Sequence, residues 1–342
     1  MSYLIDYIEQ FHNFEVAVIG DLMLDKYIIG KATRISQEAP VPVVCVESEK
    51  SVPGGAANVA LNLLSLHAKA DVFGVVGKDE AGQELTKLLK NAGANTDAII
   101  QISDRPTTVK TRIIASRQQV VRVDKEEIGD LWDDTQKQLL AKLEKHLKAS
   151  KLHAIIMEDY AKGVFTRIFM EEIVELAANY HVPVMLDPHP NHSWCIKGLR
   201  MMTPNRQEAF EITHERFVKE TGNPSNDSAL CDVGYELKHF WQCDLPVITL
   251  GGEGMALFLE EDRKPLIIPT RAKKVFDVSG AGDTVMAAMT LGLLAKASPE
   301  DAAKIANYAA GIVVGIVGTA AIQYDDLIKD IKNDEILKDF NQ

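Results

Sequence analysis

The chain contains no C-x-x-C pair, no apolar run long enough to cross a bilayer, no surplus of basic charge and no internal repeat or low-complexity tract. Each absence narrows the field. Its four cysteines, Cys45, Cys195, Cys231 and Cys243, are scattered, and a chain of this size needs no disulfide framework, which points to reduced thiols in a cytoplasmic protein. The opening residues MSYLIDYIEQFHNF carry acids and no basic segment followed by a long apolar one, unlike a signal peptide. The most apolar late stretch, Ala309 to Ile322, falls short of the roughly 20 residues a membrane helix needs and reads as a tightly packed core helix. Lys and Arg total 37 against 49 Asp and Glu, a formal net charge of −12. Nucleic acid and anionic membrane are therefore poor partners, although a phosphate site, being built locally, stays open. A Walker A loop is missing too, since Gly30-Lys31 and Gly77-Lys78 lack its other residues.

What is present is an alternation of short buried strands and amphipathic helices. Glu15–Gly20, Asp71–Val76, Leu152–Met157, Val182–Leu186, Arg200–Thr203 and Pro246–Leu250 read as strands. Ala56–His67, Glu80–Asn91, Asp134–Leu147, Thr166–Tyr180, Asn205–Ile212 and Ala229–Trp241 read as helices between them. Such a rhythm predicts an α/β fold with a mostly parallel sheet covered on both faces. Two segments, about 27–49 and 106–124, are β-rich without an intervening helix, and predict a small β-sheet lid on a single domain spanning 1–342. A hairpin turning near Ser116–Gln118 would put Lys110, Arg112, Arg122 and Asp124 on one face by two-residue alternation, with Val109, Ile113, Val121 and Val123 on the other.

The most informative segment is Asp277-Val-Ser-Gly280-Ala281-Gly282-Asp283-Thr284, ahead of an apolar helix. Small residues at 280–282 let a ligand approach the backbone, and free N–H groups at a helix start form an anion hole. An acid inside that hole can accept a proton from an attacking hydroxyl; alone, Asp283 would equally be a helix-start acid. Gly280 and Gly282 match only part of G-x-G-x-x-G, position 285 being Val, and no strand follows. A nicotinamide-dependent oxidoreductase is thus disfavoured, and a non-catalytic sugar sensor is the other rival class. Gly54-Gly55-Ala-Ala-Asn58 enters a helix and, with Asp25 beyond the first strand, suits sugar hydroxyls. Thr249-Leu-Gly251-Gly252-Glu-Gly254 follows a strand and suits a nucleotide. Asn205 and Glu208, three apart at a helix start, suit water-held Mg²⁺ or a mere capping box. The H-x-x-H of His189 and His192 lacks helical zinc spacing and is rejected as a metal site.

In this order the motifs resemble the ribokinase-like (PfkB) family of carbohydrate kinases across nearly the whole chain. The resemblance implies a Rossmann-like ribokinase fold with a β lid, ATP and Mg²⁺ dependence, and scope for a monovalent cation. It assigns Asp283 as the base and Gly280, Ala281 and Gly282 as the anion hole. Asn205 and Glu208 become metal-associated; Thr249, Gly251, Gly252, Gly254 and Asn307 line the nucleotide; Asp25, Gly54, Gly55 and Asn58 hold the sugar. The runs 21–27, 34–42 and 159–163 look like the branch acting on D-glycero-β-D-manno-heptose 7-phosphate, which implies transfer to its anomeric hydroxyl on the way to ADP-heptose; another sugar, sugar phosphate or nucleoside is the alternative. A substrate that already carries phosphate needs cations, and Arg34, Lys110, Arg112, Arg122 and Lys162 are the candidates. His189 stands where many relatives have Lys. No H-x-G-H motif occurs, so nucleotidyl transfer is expected from a separate protein. A homodimer joined through the lid is expected from the same resemblance.

Overall fold

Alternation along β1 (Glu15–Gly20) shows how this chain builds two cores at once. Val16 and Val18 belong to one buried cluster, whereas Ala17 and Ile19 belong to the other. Successive side chains point to opposite faces of a strand, so a strand apolar at every position must be covered twice. The computed structural model describes residues 2–116, 118–149, 152–218, 222–259, 264–272, 275–316 and 318–339. After β1 come β2 (Leu22–Ile35), β3 (Pro42–Gly55), β4 (Lys69–Gly77), β5 (Asn95–Ile102), β6 (Thr108–Ala115) and β7 (Gln118–Lys125). Then follow β8 (Ala154–Glu158), β9 (Val184–Asp187), β10 (Met201–Met202), β11 (Val247–Thr249), β12 (Met255–Leu257) and β13 (Leu266–Ile268).

The central sheet runs β10-β9-β8-β1-β4-β5 with every pairing parallel. Helices Ala56–Ser65, Ala281–Leu294 and Pro299–Val313 cover one face. Helices Asp133–Ala149, Arg167–Asn179, Arg206–Ile212 and Ser228–His239 cover the other. The expected α/β architecture is thus the observed one. Strand order reverses beside β1, which has β4 on one side and β8 on the other. In open parallel sheets that reversal leaves a crevice at the carboxyl ends of the two strands, here at Gly20-Asp21 and Glu158-Asp159. No helix among the described residues is long and apolar enough to cross a membrane.

The two β-rich segments make a second sheet, β3-β2-β6-β7. It is mixed rather than wholly antiparallel, because β2 and β6 pair in parallel. Its strands begin nearer the core than expected: β2 leaves β1 after one residue, and β3 returns as far as Gly55. The anticipated hairpin register holds, with Lys110 opposite Asp124 and Arg112 opposite Arg122. Ser116 enters the turn at φ +53, and residue 117 of the expected turn lies outside the described residues. A third sheet, β11-β12-β13, extends one flank; β5 and the three-residue β13 are not anticipated from pattern.

The late apolar stretch corrects its expectation. Helix Pro299–Val313 stops at 313, and residues 314–316 and 318–322 are irregular. Gly318 adopts φ +82 there, donates its N–H to the Asp277 carboxylate at 3.0 Å and turns Thr319 toward β2. Apolar content signalled burial correctly but not helix, because glycine at 315 and 318 gives the backbone cheaper alternatives.

Candidate active site

Asp283 sits in the first turn of helix Ala281–Leu294 and is buried. It is not buried in hydrocarbon. Its Oδ1 accepts from the Tyr160 hydroxyl at 2.6 Å, and its Oδ2 accepts from Asn58 Nδ2 at 2.6 Å. Burial pushes its pKa up, and those two donors oppose the rise without cancelling it. Gly280, the residue before the helix, is left-handed at φ +80, and a Cβ there would lie 2.7 Å from Asn58 Nδ2. Glycine is thus required both by the turn and by the Asn58–Asp283 contact. Of the expected anion-hole donors, the Ala281 N–H turns back to Val278 O at 3.2 Å, while Gly282 opens toward Asp187, whose Oδ2 would lie 3.9 Å from an added Cβ. Thr284 fastens this turn to helix Ala56–Ser65 through Asn62 Oδ1 at 3.0 Å.

The crevice end of β8 supplies the rest of the centre. Carboxylate oxygens of Glu158, Asp187 and Asp283 all lie within 4.8 Å of one another. Neither carboxyl oxygen of Glu158, which is fully buried, has a hydrogen-bond partner among the described residues. Asp187 receives the Thr203 hydroxyl at 3.1 Å. Burial and the neighbouring acids push Glu158 and Asp187 well above the usual carboxylate range. Asp21, just past β1, accepts backbone N–H groups of Tyr160 at 2.9 Å, Lys162 at 3.0 Å and Val164 at 3.3 Å. It is therefore the post on which the 160–164 loop hangs.

The sugar-side residues foreseen from sequence assemble beside this centre. Asp25 is buried and paired with Arg112 at 2.6 Å, and Thr319 Oγ1 donates to its Oδ2 at 3.0 Å. Gly54 leaves room for that carboxylate, since a Cβ would stand 2.7 Å from Asp25 Oδ2; Gly55, at φ +58, starts the helix that carries Asn58. Asn58 Nδ2 is committed to Asp283, while its buried Oδ1 has no protein partner. Lys162 pairs with Glu126 at 2.9 Å, and Lys110 lies 3.9 Å from the same carboxylate and 3.7 Å from Asp124. Arg122 is half exposed and held by Asp124 at 2.9 Å. Arg34 is exposed near the far end of β2, about 30 Å of extended chain beyond Asp25 by the usual strand rise. The fold does not gather it with the others.

On the nucleotide side, Asn205 and Glu208 form a reciprocal capping box: Asn205 Oδ1 accepts from Glu208 N at 3.0 Å, and Glu208 Oε2 accepts from Asn205 N at 2.8 Å. One Glu208 oxygen and a spare Asn205 lone pair remain, which suits a cation held through water more than direct ligation. Asn205 bridges Thr249 in parallel register, bringing that turn alongside. Asn307 is buried with its amide committed to Pro269 O at 2.6 Å and to the Arg271 N–H at 3.3 Å, so it shapes the 269–271 loop. Gly251 and Gly254 are both left-handed, and Gly252 is open on its Cβ side. At Gly254 (φ +99) a Cβ would stand 2.0 Å from Ile268 O. Gly254→Ala should lower stability by about 2 kcal/mol; an unchanged urea midpoint would show that the loop relaxes freely.

His189 and His192, rejected as a metal pair, are otherwise engaged. His189 Nδ1 accepts from Asn191 N at 3.2 Å. His192 stacks on Trp194 and meets Asp159 Oδ2 at 2.7 Å. Burial works to lower the His192 pKa, but the Asp159 hydrogen bond and charge outweigh it and raise it. A raised histidine contributes stability that is complete below its unfolded pKa of about 6.5 and fades as pH climbs through the folded value. The stability gap between the parent and His192→Gln should shrink from pH 6 to pH 9; a gap independent of pH would contradict the pairing.

Sequence reasoning passed over Tyr160, Glu158, Glu126, Asn62 and Thr319. Two carried a signal: Asn62 is one helical turn beyond Asn58, and Tyr160 lies inside the 159–163 motif.

An acid held by two donors at a glycine-started helix, beside a crevice at the strand reversal, brings together the parts that proton abstraction next to a bound anion requires. Residues 13–325 match the model of the pfkB family carbohydrate kinases, and the chain belongs to that family. It is 40% identical over 314 residues to the Bifunctional protein HldE of Aliarcobacter butzleri (strain RM4018), covering 91% of this chain and 63% of that protein. It is 41% identical to the Bifunctional protein HldE of Helicobacter pylori (strain G27), covering 92% and 65%. The chain thus spans under two thirds of the length of these relatives. In fold it is similar to an Arabidopsis thaliana ribokinase complexed with ribose and ATP, with TM-score 0.67, 19% identity, and 92% and 97% of the two chains covered.

Proposed function

We propose that this chain transfers the γ-phosphoryl group of ATP to the anomeric hydroxyl of D-glycero-β-D-manno-heptose 7-phosphate. The observation that carries the reaction type is Asp283, oriented on both oxygens at a helix start. Asp283 takes the hydroxyl proton as the oxygen attacks, while the Gly282 amide and the positive end of helix Ala281–Leu294 stabilise charge on the phosphoryl group. Mg²⁺, when bound, would neutralise phosphate charge, held through water by Asn205 and Glu208. Thr249, Gly251, Gly252 and Gly254 line the nucleotide, with Asn307 shaping the adjoining loop.

The substrate class is supported by likeness to the HldE proteins and by the cations around Glu126. Asp25 and Asn58 would hold sugar hydroxyls, with Gly54 and Gly55 giving them room. Lys110 and Lys162, with Arg112 and Arg122 on the same sheet face, would exchange their carboxylate partners for the substrate phosphate. Arg34, exposed near the far end of β2, is left out of this set. We place the enzyme in the cytoplasm, with the second sheet as lid and dimer surface; Val121 and Val123 lie exposed on the lid's other face. A coupled assay of ADP release across heptose 7-phosphates, hexose phosphates and free sugars tests the reading. Turnover confined to hexose phosphates or free sugars would move the substrate and keep the chemistry. No ADP release with any sugar would reject both.

A further inference from the structure

Three carboxyls within 4.8 Å of one another, two of them buried and the third half-buried, repel one another too strongly all to be ionised. The geometry ranks them by donor count. Asp283 receives two side-chain donors at 2.6 Å, Asp187 receives one at 3.1 Å, and Glu158 receives none. A hydrogen bond to a carboxylate favours its charged form, and a fully buried acid without donors is the costliest place for a charge. We propose that Tyr160 and Asn58 hold the negative charge of this cluster on Asp283 and leave the proton on Glu158, which makes Tyr160 a positioning residue for the phosphoryl transfer. The inference deepens the proposed function and rests on Asp283 being its base.

The arrangement follows from where the chain places residues 158 and 160. Glu158 ends β8, and Tyr160 lies two residues on, in the loop that Asp21 fastens by three backbone N–H groups. Both face Asp283 from one side. Asn58 faces it from helix Ala56–Ser65, Asp187 from the end of β9, and Asp25, already paired with Arg112, from β2. Asp159, beside Glu158, and Glu208, which acts on Asp187, add negative charge. Asp159, Asp187, Glu208 and Asp25 all favour retention of a proton in the cluster, while His192, bonded to Asp159 at 2.7 Å, offsets part of that negative charge. The two short side-chain donors, with a smaller backbone contribution, steer that proton away from Asp283. A base already ionised before substrate arrives is what abstraction of a hydroxyl proton requires.

Two measurements test this, one independent of turnover. In Tyr160→Phe, the acid limb of kcat/KM for the sugar should move up by about one to two pH units, the equivalent of one hydrogen bond to a charged acceptor. The rate deficit should then be tenfold or more at low pH and smaller at high pH, whereas a merely structural role would lower the rate evenly. Infrared difference spectra of the parent against Glu158→Gln at neutral pH should show the carbonyl stretch of a protonated carboxyl, absent from the variant. An unmoved acid limb, or no such band in the parent, overturns the proposal. If no sugar is phosphorylated at all, the functional reading fails, and the infrared band still decides where the proton resides.

Discussion

Asp283→Asn should lower kinase turnover by at least about 100-fold, within the range of about 10² to 10⁴ that a general base contributes. The side chain keeps its shape but loses the capacity to take the hydroxyl proton, and its amide nitrogen no longer accepts from one of the two donors. Since that interaction forms only as the transition state is approached, kcat should carry the loss and the KM for nucleotide should move little. Stability should change by no more than about 1 kcal/mol, because the lost acceptor opposes the relief of a buried carboxylate whose pKa burial already raises. Parallel measurement of kcat, KM and thermal midpoint separates a chemical defect from a folding one. Turnover within a few-fold of the parent, in a well-folded variant, would remove Asp283 from the mechanism.

Asp21→Ala should have the largest effect on stability, a loss of about 3 kcal/mol by urea denaturation. The carboxylate is the acceptor for three backbone N–H groups at 2.9, 3.0 and 3.3 Å, and alanine leaves them inside the protein without one. The sum is less than three separate bonds because burial already opposes the charge, pushing the Asp21 pKa from 3.8 to about 6. That shift sets the sign of the pH dependence. Between about pH 4 and 6 the folded state binds more protons at this site than the unfolded chain, so the Asp21 contribution declines as pH rises. The stability gap between parent and variant should be widest near pH 4 and narrow toward pH 7. A constant gap would mean that Asp21 titrates normally. Activity should fall as well, since the loop carrying Tyr160 and Lys162 loses its anchor.

The fold was legible wherever a local rule was sufficient. Glu80–Asn91 was read to the residue because its apolar spacing is regular and Gly93 closes it at φ +96. The 110–124 register was legible because a strand's two faces alternate. Residues 314–316 and 318–322 are not the helix their composition suggests, because apolar content reports burial, while backbone shape there depends on Gly318 and on the Asp277 carboxylate that receives its N–H. The N-x-x-E spacing fits two structures equally, and the capping box forms; whether it also attends a cation is not something spacing decides.

Residue order alone determined the layered α/β class, the glycine turns at 54–55 and 280–282, and the acid at 283, because periodicity and the φ freedom of glycine act over a few neighbouring residues. Only the tertiary structure decided which groups give that acid its character. Tyr160 is 123 positions from Asp283 and Asn58 is 225. Glu158 is buried without a partner among the described residues where β8 pairs with β1. Burial, donor count and mutual repulsion among carboxyls arise from contacts between distant segments, and those contacts exist only once the sheet has closed.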